Sequence, residues 1–105
     1  MVEEKKILTE LRKALSELYG ERLDRLVLFG SRARNDAEPE SDIDVMVVLT
    51  GQVNPGEEIA RTAEVVSSLS LKYDVVVSCV FTSTENYETS QNPLLMNVRR
   101  EGLPV

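Results

Sequence analysis

Two apolar runs joined by a polar link constrain this chain more than any other feature. Leu26-Val27-Leu28-Phe29 and Val45-Met46-Val47-Val48-Leu49 both read as short buried strands. Between them stand Gly30-Ser31-Arg32-Ala33-Arg34, a polar turn, and Ser41-Asp42-Ile43-Asp44. A phosphate-sized Gly-Ser turn therefore lies close to two carboxylates at i and i+2. On a strand that spacing puts both carboxylates on one face, roughly 6–7 Å apart along the chain. Two same-side carboxylates repel unless a cation joins them. A divalent metal that also holds nucleotide phosphates is the economical explanation.

The bulk composition narrows the classes. A chain of 105 residues is expected to form one domain, 1–105, and 42% hydrophobic content is enough for one core. The formal net charge of −6 argues against nucleic-acid binding by bulk charge. There is no His, which removes the usual zinc sites and histidine acid–base chemistry. The lone Cys79 excludes a disulfide within one chain and suggests a reduced, cytoplasmic setting. No run approaches the ~20 apolar residues that span a bilayer, so no membrane segment is expected. The mixed-charge start, Met1-Val2-Glu3-Glu4-Lys5-Lys6, lacks the apolar core of a signal peptide.

The spacing predicts a helix over residues 3–19, with Ile7, Leu8, Leu11, Ala14, Leu15 and Leu18 in one stripe and Gly20 just past its end. A strand follows from about Arg25 to Phe29. A helical turn capped by the Ser31 hydroxyl is expected next, then a polar turn over 35–40 with Pro39. The second strand runs from Asp42 to Leu49. One face carries Asp42, Asp44, Met46 and Val48; the other carries Ile43, Val45, Val47 and Leu49. Asn54-Pro55-Gly56-Glu57 is a helix start with a cap, a first-turn proline and a capping box. That helix is expected to reach Leu71 and bury Ile59, Ala63, Val66 and Leu69. Tyr73 to Phe81 reads as a strand, and Asn92-Pro93 opens a last helix that stops near Gly102 with Leu94, Leu95 and Val98 inward. The expected class is α/β (α+β): a small mixed sheet with flanking helices, in the order α β β α β α.

Several residues could carry chemistry. Gly30 lets a backbone approach a ligand, and Ser31 adds a hydroxyl for phosphate oxygens; the bland alternative is an ordinary turn. No lysine follows where a P-loop needs one. Asp42 and Asp44 are poor strand formers, so they are either metal ligands or a solvated strand end paired with Arg32 or Arg34. Asp74 opens a valine run. If that run pairs beside the Asp42 strand, three carboxylates converge; otherwise Asp74 pairs with Lys72 or Arg61. Arg32 is a candidate phosphate ligand, or else loop charge.

Gly30-Ser31-x-Ala33-Arg34 followed by Ser41-Asp42-x-Asp44 resembles the signature of nucleotidyltransferases of the DNA polymerase beta superfamily. The small size is similar to its minimal nucleotidyltransferases, and Asn97-Val98-Arg99-Arg100-Glu101-Gly102 also looks family-like. The resemblance implies a polymerase-beta-like αβ fold. It implies that Gly30 and Ser31 hold the triphosphate, that Asp42 and Asp44 bind Mg²⁺, and that Asp74 completes an acidic triad as base. It also implies ATP or another nucleoside triphosphate as substrate, and a helical HEPN-type toxin as partner, with AMP transferred to its tyrosine. Two rivals remain open: an antitoxin that only occludes its partner, and a transferase acting on a small hydroxylated compound such as an antibiotic. The acceptor and a homo-oligomeric state are not fixed by the residues.

Overall fold

The computed structural model describes residues 3–38 and 41–105. Helix α1 spans Glu4–Tyr19, strand β1 spans Leu23–Phe29 and strand β2 spans Ile43–Leu49. Helix α2 spans Pro55–Tyr73, and strand β3 spans Val77–Ser83. Two short helices follow, α3 at Thr84–Thr89 and α4 at Pro93–Glu101, then a two-residue strand β4 at Leu103–Pro104. The sheet is four-stranded, in the order β3-β2-β1-β4. It is mixed as expected: β1 pairs antiparallel with β2 and β4, and β2 pairs parallel with β3 across the α2 crossover.

Strand β2 sits at the centre, and its alternation divides the molecule. Ile43, Val45, Val47 and Leu49 face α1 and α2 and pack with Ile7, Leu11, Leu15 and Leu69. Met46 and Val48 face the other way and pack with Val27, Tyr87 and Val98 under α3 and α4. Asp44 shares that second parity. The sheet thus places Asp44 at the start of its more thinly covered face, and Asp42, expected to open the strand, lies just before it.

The helix ends follow their sequence signals. Gly20 closes α1 with φ 56°, and its N–H donates to Ser16 O. Asn54 caps α2 by accepting from Glu57 N at 3.3 Å, with Pro55 in the first turn. α1 and α2 are also clasped: Lys72 Nζ lies 2.8 Å from Glu10, and the Tyr73 hydroxyl donates to the same carboxylate.

Several expectations are corrected. The buried face of α2 is Glu58, Thr62 and Leu69, while Ile59 is 57% exposed and Ala63 is also exposed. The helix is turned because buried Glu58 is satisfied: it accepts from Tyr19 Oη at 2.7 Å and pairs with Arg61 at 3.3 Å. Burial and this carboxylate together push the Tyr19 hydroxyl pKa upward. β3 begins at Val77, not Tyr73, because α2 continues two residues past Leu71. Ser31 does not cap the turn at Gly30–Arg32; the residue before that turn is Phe29, and no side chain caps it. Leu94 faces solvent, whereas Val98 is inward as expected. α3 and β4 have no counterpart in the sequence reading. The expected role of Pro39 falls outside the described residues.

Candidate active site

The end of β1 and the start of β2 meet at one point. Phe29 lies opposite Asp44 in the antiparallel register. Directly after Phe29 the chain turns at Gly30, with φ 77°. A Cβ on Gly30 would lie 2.6 Å from Asp44 Oδ2. Glycine is required there twice over, by the left-handed backbone and by the carboxylate against it. The turn is closed by its own carbonyls: Gly30 O accepts from Ala33 N at 3.1 Å and Arg34 N at 3.2 Å, and Ser31 O accepts from Asp36 N at 3.1 Å. Among the described residues the Ser31 hydroxyl makes no hydrogen bond, so it is available to a ligand.

Asp44 is half-buried and Asp42 exposed. Burial, and then the neighbouring charge of Asp42, raises the Asp44 carboxyl above its ordinary value. Neither residue has an ion-pair partner among the described residues. The arginines that could have supplied one are turned elsewhere. Arg34 pairs with Asp36 at 3.4 Å and Glu101 at 3.8 Å. Arg32 donates to Ser41 O from Nε at 3.1 Å and from Nη2 at 2.6 Å, and lies 3.6 Å from Glu4. Arg32 is thereby a strut between the Gly30 turn and the residue preceding Asp42. Ser41 orders the same link, its hydroxyl accepting from Glu38 N at 3.0 Å.

Asp74 is not brought to this pair. It is the C-cap of α2, left-handed at φ 52° and exposed, with its N–H donating to Ser70 O. Among the described residues no three acidic, cysteine or histidine side chains are grouped to hold a metal. The β3 residue in register with Asp44 is Ser78, four positions after Asp74. Sequence reading missed Ser78. Its signal was present: one polar residue interrupting Val75-Val76-Val77 and Cys79-Val80-Phe81. Gly102 was also underread. A Cβ there would meet Val27 Cγ1 at 2.3 Å and Val98 O at 2.5 Å, so only glycine lets α4 turn into β4 against β1.

A hydroxyl-bearing glycine turn packed on a strand carboxylate is an arrangement that can accept phosphate oxygens and a cation. The nucleotidyltransferase domain profile matches residues 8–101, and the chain belongs to that family. It is a nucleotidyltransferase built on the minimal form of the fold. Two similar proteins come from Methanocaldococcus jannaschii. "Putative protein adenylyltransferase MJ0141" is 39% identical over 72 residues, covering 69% of this chain and 72% of that protein. "Putative protein adenylyltransferase MJ0604" is 35% identical over 100 residues, covering 94% of each. Among solved structures, a toxin-antitoxin with AMP-PNP superposes with a TM-score of 0.65 at 22% identity, covering 98% of this chain and 72% of that one. A "putative minimal nucleotidyltransferase" superposes at 0.61 and 23% identity, covering 96% and 94%. These two establish likeness of fold.

Proposed function

We propose that the protein transfers AMP from ATP to a tyrosine hydroxyl of a HEPN-type toxin, with Mg²⁺, and so acts as an antitoxin. The observation that carries the reading is the Gly30 backbone lying against Asp44, with Asp42 two residues away and no ion pair on either among the described residues. The names of the relatives support adenylylation. The toxin–antitoxin assemblies among the structural neighbours support the partner, and the AMP-PNP in one of them supports an adenine nucleotide.

The residues fit a hard divalent cation. The Asp44 carboxyl is held above its ordinary pKa by burial and by the charge of Asp42, a condition that a cation relieves. Asp42 and Asp44 would hold Mg²⁺, which supplies charge neutralisation on the phosphates and the departing pyrophosphate. Gly30 allows the triphosphate to approach the backbone, and the Ser31 hydroxyl donates to a phosphate oxygen. Arg32 holds the link before Asp42 in place through Ser41. The acceptor oxygen bonds to the α-phosphorus as the bond to the bridging oxygen breaks, and pyrophosphate leaves with the electron pair. The hydroxyl proton passes to water. Phosphoryl and nucleotidyl transfers lean on positioning and charge more than on a strong base. Asp74, at its helix end, therefore stands outside the proposed catalytic pair.

Calorimetry with ATP tests the site. Binding is expected to need Mg²⁺ and to vanish in the Asp42→Asn/Asp44→Asn variant. Equal binding in EDTA would remove the metal from the reading. Intact-mass measurement on the purified toxin pair tests the acceptor: one or more AMP units should appear on the partner. A second reading, neutralisation by occlusion, is favoured by one observation: among the described residues no third carboxylate is grouped with the pair. It takes over if the partner is neutralised without a mass change and Asp42→Asn neutralises equally well.

A further inference from the structure

The two edges of the sheet are built differently. The β4 edge is two residues long and ends in Pro104, which blunts it. The β3 edge is seven residues long and has one ladder partner, β2. Val77–Ser83 contains no charge, proline or glycine, in a chain that is 29% charged. Among the described residues, no charge, proline or bulge along this strand protects the edge from pairing with another strand.

The backbone parity shows what the edge offers. Val76 O accepts from Ile43 N at 2.9 Å, so Val76 faces β2. Val77 faces the other way, and its N–H is taken by Ser70 Oγ at 3.1 Å. Cys79 and Phe81 share the parity of Val77. Their N–H and C=O groups point outward, and among the described residues nothing caps them. Beside this edge runs the outward stripe of α2. Ile59 is 57% exposed, Leu71 83% and Val76 56%. With Val66, Ser70 and Phe81 they line a largely apolar groove of about 600 Å³ between helix and strand.

An open strand edge is satisfied by another strand, which a purely helical partner cannot supply. At a net charge of −6 two copies repel over most of their surfaces, and β3 offers an uncharged strip where they can meet. We propose that this edge is the contact between two copies of the chain. A two-fold axis normal to the sheet at the middle of β3 pairs the two β3 strands antiparallel into one eight-stranded sheet. The same axis lays the two α2 helices antiparallel, the Ile59 end of one beside the Leu71 end of the other. One operation thus covers both the free backbone groups and the apolar stripe. Asp42 and Asp44 lie on the opposite face and stay open. Seven strand residues span about 23 Å, and the helix layer adds about 10 Å. The contact is therefore at the small end of specific interfaces, the size class of weak, reversible association.

Sedimentation of the full chain from about 1 to 500 µM tests this, with the Ile59→Lys/Leu71→Lys variant alongside. Both sites are exposed, so circular dichroism and Tm should be unchanged in the variant. The wild-type mass should rise from 11.8 kDa toward twice that value, while the variant stays at 11.8 kDa. Hydrogen exchange at the Cys79 and Phe81 amides should slow about tenfold with concentration in the wild type only. A wild-type monomer at 500 µM, or a variant that dimerises equally, overturns the proposal. So does a dimer without added protection at those amides. Protection that appears only in the complex with a different protein would assign the edge to that protein instead. None of these outcomes depends on whether AMP is transferred.

Discussion

The two faces of the sheet are made from alternate residues of the same strand, yet they do opposite work. Toward α1 and α2, Ile43, Val45, Val47 and Leu49 are fully buried against Ile7, Leu11 and Leu15. Toward α3 and α4, Met46 and Val48 are equally buried, but the row begins with Asp44, preceded by Asp42. The first face contributes stability by excluding water. The second sets the Asp44 carboxylate near the charge of Asp42 with no ion pair among the described residues, a destabilising arrangement. A seven-residue strand can serve both ends because its side chains alternate.

The contrast breaks most sharply at Asp44. Asp44→Asn is expected to lower Mg²⁺-dependent transfer at least 100-fold in a radiolabelled-ATP assay, whereas Asp74→Asn should stay within about threefold. Asparagine also tolerates the left-handed backbone that Asp74 adopts. If Asp74→Asn is as damaging as Asp44→Asn, the proton does pass through that residue. On the core face, Leu11→Ala should cost about 3 kcal/mol in urea unfolding, with the nucleotide affinity of the folded protein unchanged. Gly30→Ala belongs to both faces. It forces a side chain into the left-handed region and onto Asp44, so it should lose about 1–2 kcal/mol and most nucleotide binding together.

The smallest effect is one of pH. The folded protein holds the Asp44 proton more tightly than an ordinary carboxyl does, so the folded state binds more protons than the unfolded state. Its cost to stability is therefore absent below the ordinary carboxylate pKa and fully present once pH rises above the folded value. In EDTA, Asp44→Asn should melt higher than wild type at pH 7, by a few degrees at most. The difference should vanish near pH 3. A variant that melts lower at pH 7 would show that Asp44 supports the fold.

Much of this was legible in the residues. The alternation of β2, the Asn54-Pro55 start of α2 and the glycine after α1 each rest on local rules that packing had no reason to override. The carboxylate pair was legible because acids at i and i+2 in a valine-rich run break a pattern. The face of α2 was not, since an inward Glu58 is invisible until Tyr19, 39 residues away, reaches it. Asp74 was misplaced for a similar reason: nothing local says that Val75 and Val76 form a connection and that β3 starts at Val77. α3, at six residues, is too short to show a helical period.

The burial of Cys79 has a kinetic consequence. It is the chain's single cysteine, and burial pushes its thiol up to about 12. Only the thiolate reacts with alkylating reagents, so this half-buried thiol in the groove between α2 and β3 reacts far more slowly than a free cysteine. Labelling is expected to speed up whenever α2 lifts from β3 and the thiol titrates normally. The time course of a single mass addition becomes a stopwatch for that opening, reporting how often the strand is uncovered without any label being engineered into the protein.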